Sequence, residues 1–167
     1  MFGKKKNTSR AIFAGGCFWG VEYYFQKQDG VLETTVGYIG GRTNNPTYQE
    51  VCAKTSGHIE ALEVVFDADA VSFETLAKLF FEIHDPTQVN RQGPDVGEQY
   101  KSAIFYVDEE QKETSKKLID MLKVQGLDVV TELIPATTFW PAEGYHQEYY
   151  EKKGGTPYCH VRIKRFD

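Results

Sequence analysis

Apolar side chains recur at helical spacing in two parts of the chain, and capping residues mark a third helix. Positions three and four residues apart are apolar over residues 18–28 and 72–84, which predicts a helix in each segment. Ser72 is suited to be the N-cap of the second helix. Asp108, followed three residues later by a glutamine, begins a capping-box pattern and predicts a helix that runs to about Val124.

Four stretches with strand-like composition are interspersed with these helices. They predict strands over residues 31–38, 59–66, 101–107 and 128–134. Helices and strands are interspersed, but the connections between them are too irregular for regular βαβ repeats. We therefore expect an α+β fold, a two-layer sandwich of a sheet and helices.

The remaining segments predict loops and termini. Two long polar segments, 37–48 and 86–100, are rich in glycine and proline, and loops of that length are often functional. The aromatic segment 139–150 is expected to be helical in its second half. Without repeats or a low-complexity linker, residues 1–167 are expected to form one domain. Its ends are a flexible basic N-terminus over 1–10 and an irregular C-terminal tail over 154–167.

Composition and charge narrow the functional classes. Of the 167 residues, 41% are hydrophobic and 26% are charged, which is typical of a folded globular protein. The formal net charge of −5 argues against nucleic acids and anionic membrane surfaces as partners. No run of about 18 apolar residues is present that would span a bilayer. An odd count of three cysteines fits reduced thiols and a cytoplasmic location.

The sequence AGGCFWG places Cys17 at the start of the first predicted helix, between glycines and two aromatic rings. Unpaired N–H groups and the helix dipole favour a thiolate at that position, which would make Cys17 a nucleophile. The alternative is a small buried apolar residue, the usual environment of a reduced cysteine. Because glycines flank Cys17, we expect the thiol to be accessible.

The two other cysteines differ in their surroundings. Cys52 has no activating neighbour in the sequence, which favours a structural, buried thiol. Cys159 lies in the glycine-rich tail and is expected to reach Cys17 as a second, resolving thiol, or else to be merely exposed. The cysteine and histidine spacings match no zinc motif, and no glycine-rich nucleotide-binding loop is present, so neither a metal nor a nucleotide is expected.

Two acids and two tyrosines are candidates for proton transfer. Strand alternation in GHIEALEVVFD places Glu60 and Glu63 on opposite faces, each among apolar neighbours. Either carboxyl group could be kept protonated by burial and act as a general acid, or could be a rim carboxylate paired with Lys or Arg. Tyr48 and Tyr100 follow the two polar loops and could donate a hydrogen bond to an oxyanion, although most tyrosines are packing groups.

These residues leave three functional classes open. One is thiol-dependent redox chemistry at Cys17. Another is a cysteine hydrolase or acyltransferase, in which one of the four histidines would serve as the base. The last is a non-catalytic module that binds methionine-rich partners.

Four sequence blocks narrow this choice because together they closely resemble the A-class peptide methionine sulfoxide reductases. The blocks are GCFWG at 16–20, GYIGGRTNNPTY at 37–48, GHIEAL at 57–62 and HDPTQVNRQGPDVGEQY at 84–100. The resemblance extends over nearly the whole chain, from Ile12 to His160. It implies a mixed, ferredoxin-like sheet and reduction of the S epimer of methionine sulfoxide, free or in proteins.

The resemblance also implies a role for each matching residue. Cys17 corresponds to the nucleophile, and Glu60, rather than Glu63, to the general acid. The remaining matches are the substrate's neighbours: Phe18 and Trp19 at its methyl group, Tyr48 and Tyr100 at its oxygen, and Asp95 in substrate binding.

The same resemblance implies how the enzyme is recycled. Cys159 resembles the first recycling cysteine, so a Cys17 sulfenic acid would be resolved to a Cys17–Cys159 disulfide. A thioredoxin would then open this disulfide by thiol exchange. The expected enzyme repairs oxidised proteins, needs no metal or organic cofactor, and is a monomer.

Overall fold

A six-stranded mixed sheet forms the centre of the computed structural model, which describes residues 7–158 and 160–166. The strands are β1 Thr8–Gly15, β2 Val31–Ile39, β3 Ile59–Asp67, β4 Arg91–Gln92, β5 Asp95–Val96, β6 Ser102–Tyr106, β7 Glu132–Pro135 and β8 Trp140–Pro141. The helices are α1 Phe18–Gln26, α2 Tyr48–Cys52, α3 Phe73–Ile83, α4 Glu109–Val124 and α5 Tyr149–Lys153. None of these helices is long and apolar enough to cross a bilayer.

The strand order in the large sheet is β7-β6-β1-β3-β2-β8. Its neighbouring strands are antiparallel except for the parallel pair of β6 and β7. Strands β4 and β5 form a separate hairpin inside the second polar loop. The predicted α+β class with a mixed sheet is confirmed, whereas the finer ferredoxin-like description stays a prediction of the resemblance.

Strand β1 lies near the middle of this sheet, although its sequence pattern did not predict a strand. Four consecutive side chains, from Ala11 to Ala14, are fully buried. Phe13 packs into the larger core and Ile12 into the smaller one, so both faces of the strand are covered. A doubly covered strand shows a continuous apolar run instead of an alternation. The expectation of a flexible N-terminus over 1–10 is wrong for residues 8–10, because they pair with β3 as part of β1.

The helices α1, α3 and α4 contribute to the larger core on one face of the sheet. Its centre is the ring of Phe13, which stacks at 5.1 Å between ring centroids on both Phe25 of α1 and Phe80 of α3. A smaller cluster covers the other face, with residues of β1, β3 and β6 packed against Phe139. This layering fixes the start of α1 relative to the end of β1.

Capping confirms the two helices that were predicted from their N-cap residues. The Ser72 hydroxyl accepts the N–H of Thr75 at 3.1 Å, and the Asp108 carboxylate accepts the N–H of Gln111 at 2.8 Å. The Gln111 side chain does not complete the expected capping box. It accepts the N–H of Val107 and donates to the carbonyl of Arg10, which joins α4 to β1.

The strand predicted over 128–134 begins only at Glu132. The reason is a hydrogen bond outside the sheet: the N–H of Val130 donates to the carbonyl of Pro86 at 2.8 Å. This bond ties the approach to β7 to the long loop that follows α3.

Residues 160–166 of the C-terminal tail are neither helix nor strand, but buried Glu82 at the end of α3 anchors them. Its carboxylate accepts two hydrogen bonds from the Arg162 guanidinium, at 2.9 and 3.1 Å, and one from the Arg165 N–H at 3.1 Å. Phe166 packs beside Phe81 of the same helix. The tail is therefore irregular, as expected, and tied to the domain through these residues.

Candidate active site

Cys17 lies at the junction of β1 and α1, where it is the N-cap residue of the helix. Its backbone carbonyl accepts the N–H groups of Gly20 and Val21, at 3.2 and 3.4 Å, which start the helical turn. The residue is 5% exposed, so it is more buried than the flanking glycines led us to expect. The sequence prediction of Cys17 at a helix N-terminus is confirmed.

The glycines around Cys17 allow close packing rather than access. Gly16 has a φ of +93°, and a Cβ there would lie 2.6 Å from the Gln92 side chain. A Cβ at Gly20 would overlap the His160 imidazole ring, whose Nε2 is 2.8 Å from the Gly15 carbonyl. Two distant segments therefore cover the junction that carries Cys17.

Glu60 on β3 is brought next to Cys17 by the backbone of α1. The N–H of Phe18, the residue after Cys17, donates to the Glu60 carboxyl oxygen at 3.2 Å. The acid is 2% exposed, and burial raises its pKa well above the usual value, helped by the negative charges of Cys17 and Asp95. The Phe18 hydrogen bond opposes this rise. A carboxyl group in this environment keeps its proton to a higher pH than an exposed glutamate and can donate it.

Glu63 has the other role that the sequence left open. It lies on the opposite face of β3, and its carboxylate forms a salt bridge of 2.6 Å with the Arg10 guanidinium of β1. Both groups are partly exposed. The structure thus makes Glu63 the paired rim carboxylate and Glu60 the buried acid.

Tyr48 and Tyr100 both lie near Glu60. Burial raises the pKa of Tyr48, and its hydrogen bond to Cys52 and the charge of Glu60 raise it further. Burial and then the charges of Glu60 and Asp95 likewise raise the pKa of Tyr100. Both side chains therefore remain neutral phenols that can donate a hydrogen bond.

Cys52 is half-buried and not the fully buried structural thiol that the sequence favoured. It follows Tyr48 by one turn of α2, and the Tyr48 hydroxyl is its hydrogen-bond partner. Burial raises the pKa of Cys52, and the Glu60 charge adds to the rise, while the Tyr48 hydrogen bond opposes it. Cys52 therefore borders the tyrosine side of the site as a protonated thiol.

Phe18 and Trp19 form an aromatic wall beside Cys17. Phe18 is buried against Tyr38, with 5.7 Å between the ring centroids, whereas Trp19 is half-buried. The rings of Phe18 and Trp19 are 5.4 and 5.5 Å from the imidazole of His146. The Tyr149 ring stacks on Trp19 at 4.0 Å and 9°.

His146 and Tyr149 are site residues that the sequence analysis did not single out. The Trp19 indole N–H donates to His146 Nδ1 at 3.1 Å, which places the proton of a neutral imidazole on Nε2. Burial lowers the pKa of His146, which keeps the ring neutral, and its Nε2 has no hydrogen-bond partner among the described residues. The signal in the sequence that could have indicated these two residues is the density of aromatic side chains over 139–150.

Glu143 connects this aromatic segment to the tyrosine side of the site. Its carboxylate accepts the Tyr38 hydroxyl and the Tyr48 backbone N–H, each at 3.0 Å. Although burial opposes ionisation, these hydrogen bonds bring the pKa of Glu143 below its usual value. Glu143 therefore fixes the start of α2, where Tyr48 lies, as a carboxylate.

Asp95 lies on the β4–β5 hairpin, on the side of the site that faces the C-terminal tail. The Tyr158 hydroxyl contacts both of its carboxylate oxygens, at 3.0 and 3.1 Å. The charge of Asp95 contributes to the raised pKa of Glu60 and of Tyr100. The structure thus places Asp95 within electrostatic reach of the acid and one of the two phenols.

The candidate resolving thiol, Cys159, lies outside the described residues, which include both of its neighbours. Within 7–158 and 160–166, no group of three or more His, Cys, Asp and Glu side chains is placed to hold a metal ion.

The structure brings together most of the site residues that the sequence predicted. They are Cys17, Phe18, Trp19, Glu60, Tyr48, Tyr100 and Asp95.

Comparison with known proteins covers almost the entire chain. Residues 9–167 match the family described as peptide methionine sulfoxide reductase. Peptide methionine sulfoxide reductase MsrA of Nautilia profundicola is 53% identical over 150 residues, which are 90% of this chain and 87% of that protein. The MsrA of Geobacter sulfurreducens is 47% identical over 156 residues, 92% of this chain and 96% of that protein.

Solved structures resemble the whole fold. Reduced Mxr1 of Saccharomyces cerevisiae has a TM-score of 0.86 at 31% identity and covers 97% of this chain and 95% of its own. Methionine sulfoxide reductase A of Corynebacterium diphtheriae has a TM-score of 0.80 at 37% identity and covers 92% of this chain and 80% of its own.

The packing of His160 against α1 predicts the effect of a single methyl group. Gly20→Ala should displace the imidazole ring and lower the free energy of unfolding by about 1–3 kcal/mol, because the added Cβ overlaps the ring. Urea denaturation measures this change. Gly144→Ala is the matched control, since a Cβ at Gly144 meets no atom within 4 Å among the described residues. Equal effects of the two substitutions would contradict the packing.

Proposed function

The chain belongs to the peptide methionine sulfoxide reductase family. From this premise we propose that Cys17 reduces the S epimer of methionine sulfoxide, with Glu60 as the general acid. The substrate is the free amino acid or the oxidised residue in a protein. The observation that supports these roles most directly is the hydrogen bond from the Phe18 N–H to the Glu60 carboxyl, because it joins the acid to the residue after Cys17.

The reaction begins with attack of the Cys17 thiolate on the sulfoxide sulfur. Protonated Glu60 gives its proton to the sulfoxide oxygen, whose basicity rises as the S–O bond polarises. The phenols of Tyr48 and Tyr100 donate hydrogen bonds to the same oxygen. The attack forms a bond between the Cys17 sulfur and the substrate sulfur. The S–O bond and this new bond then break as the hydroxyl group passes to the Cys17 sulfur. Methionine leaves as the reduced thioether, and Cys17, oxidised by two electrons, carries the oxygen as a sulfenic acid.

Phe18 and Trp19 select the methyl group of the substrate. A methyl group against these rings gains about 0.8 kcal/mol for each buried carbon unit. The Trp19 ring is held by His146 and Tyr149, and Phe18 is held against Tyr38. A rigid aromatic wall of this kind favours methyl sulfoxides over bulkier ones.

Cys159 completes the cycle in this proposal. Its thiol condenses with the Cys17 sulfenic acid, which forms a disulfide and releases water. A dithiol of the thioredoxin class then reduces the disulfide by exchange. The relative Mxr1 has been solved in complex with Trx2. Because thiol exchange would open the proposed disulfide, we propose a partner of the same kind for this chain. The enzyme is proposed to act without a metal or organic cofactor, as a cytoplasmic monomer that repairs oxidised proteins.

The buried acid beside Cys17 favours this reaction over a cysteine hydrolase. A hydrolase would need an imidazole paired with Cys17 as its base. Both ring nitrogens of His58 and of His84 have hydrogen-bond partners on other residues, and His146 accepts the Trp19 indole N–H. The titratable group bonded to the start of α1 beside Cys17 is an acid.

Replacing the acid tests its role. Glu60→Gln should fold and lower the first-turnover rate of methionine formation by about 10²–10⁴-fold, because the amide cannot transfer a proton to the oxygen. In the unchanged enzyme this rate should fall as pH rises through the raised pKa of Glu60, since the acid acts in its protonated form. Rapid-quench measurement of methionine gives both quantities.

Glu63→Gln is the matched control for this experiment. It makes the same chemical change three residues away on the same strand, where the carboxylate pairs with Arg10. The control should retain the first-turnover rate. Undiminished turnover by Glu60→Gln would remove Glu60 from the acid role.

Replacing the resolving thiol separates reduction from recycling. Cys159→Ser should release about one methionine per site and then stall with thioredoxin, because the thiol proposed to condense with the Cys17 sulfenic acid is absent. Cys52→Ser should continue to cycle. Sustained turnover by Cys159→Ser would show that another thiol resolves the intermediate.

A further inference from the structure

Trp19 is held from two sides by one segment, residues 142–149, which we call the pocket strap. The His146 imidazole accepts the indole N–H, and the Tyr149 ring stacks on the indole face. Both residues lie more than 120 positions from Trp19 in the chain. The orientation of the aromatic wall therefore depends on how the strap is attached to the rest of the domain.

Gln147 attaches the middle of the strap to strand β2. Its amide oxygen accepts the Val36 N–H at 2.9 Å, and its amide nitrogen donates to the Val36 carbonyl at 2.9 Å and to the Ala142 carbonyl at 3.0 Å. These bonds fix the chain before the turn into α5. They do not by themselves fix Tyr149, which lies beyond a residue with unusual backbone geometry.

That residue is Glu148, the N-cap of α5, with φ 53° and ψ 41°. The left-handed region is unfavourable for a side chain other than glycine, asparagine or aspartate. A neighbouring interaction that holds the Glu148 backbone would stabilise this conformation and, with it, the direction in which Tyr149 leaves the strap.

Glu22 supplies that interaction. It is 1% exposed on α1, one turn after Trp19, and its carboxyl oxygen Oε1 accepts the Glu148 N–H at 2.7 Å. The Oε2 atom accepts the Thr34 hydroxyl of β2 at 2.9 Å. The proposed chemistry gives this buried acid no part in proton transfer. The same helix therefore carries Trp19 and the group that anchors the residue before Tyr149.

We propose that Glu22 is a positioning residue for substrate binding: by holding the Glu148 N–H it seats Tyr149 on Trp19 and so shapes the methyl pocket. The proposal rests on the proposed function, since it assigns Trp19 to the substrate's methyl group. It predicts that Glu22 controls the KM for the sulfoxide, while the chemical step at Cys17 and Glu60 is unaffected.

The hydrogen bonds of Glu22, rather than its charge, are expected to matter. Burial raises the pKa of Glu22 to about 7, opposed by its bonds with Thr34 and Glu148. The charged groups that act on it from α5 are Glu148, which raises the pKa, and Lys152, which lowers it, while β2 contributes the neutral Thr34 hydroxyl. Near neutral pH the protonated form is well populated, so glutamine is a fair substitute.

Two substitutions at Glu22 test the proposal in a Trp140→Phe background, in which Trp19 is the single remaining tryptophan. Glu22→Ala should raise the KM for methionine S-sulfoxide about tenfold with kcat within about twofold, because the buried hydrogen bond that holds the Glu148 N–H is lost. The emission of Trp19 should shift to longer wavelength as Tyr149 leaves its face. Glu22→Gln should restore both values, since its amide oxygen can accept the Glu148 N–H.

Glu151→Gln is the matched control, an exposed acid in the first turn of α5. It should leave both KM and emission unchanged. If Glu22→Ala does not fold, Thr34→Val removes one partner of the same carboxyl and should raise KM about threefold with a smaller emission shift.

A folded Glu22→Ala or Thr34→Val protein with unchanged KM and emission would overturn the proposal. Equal defects in Glu22→Gln and Glu22→Ala would also overturn it. Failure of the proposed function is a different result, because the unsubstituted enzyme would then form no methionine at all.

Discussion

The burial of one carboxyl group beside the start of one helix is the constraint on which the site depends. Glu60 is almost fully removed from water, and the Phe18 N–H bonds to its carboxyl oxygen. Burial disfavours the charged form of the acid, and a nearby thiolate disfavours it further. The chemistry proposed here needs this combination, in which one group ionises and its neighbour keeps a proton.

The sheet and the turn after β1 bring Glu60 close to Cys17. Strand β3 lies between β1 and β2, and Glu60 is directly opposite Tyr38 of β2. Strand β1 ends at Gly15, and the positive φ of Gly16 turns the chain so that α1 begins above the same region of β3. Distant segments then close the site, with Gln92 and His160 packed against the glycines of the turn. The aromatic wall depends in the same way on the strap, through His146 and Tyr149.

Local patterns predicted those parts of the fold that local interactions determine. Ser72 and Asp108 cap their helices as predicted, because a cap involves residues three apart. Strand β1 escaped prediction because both of its faces are buried, which removes the alternation. The sequence alone could not choose between Glu60 and Glu63, since the partner that neutralises Glu63 comes from another strand. His146 was missed for the same reason, because its partner Trp19 lies in a distant part of the chain.

The protonation state of Glu60 is the most direct measure of the central claim. Carbon-13 NMR of the glutamate side-chain carboxyls, with Glu60→Gln used to assign the resonance, follows the titration of this one group. The structure predicts a Glu60 carboxyl that stays protonated well above the range in which exposed glutamates ionise, at about pH 4.3. A Glu60 resonance that titrates together with the exposed glutamates would contradict it.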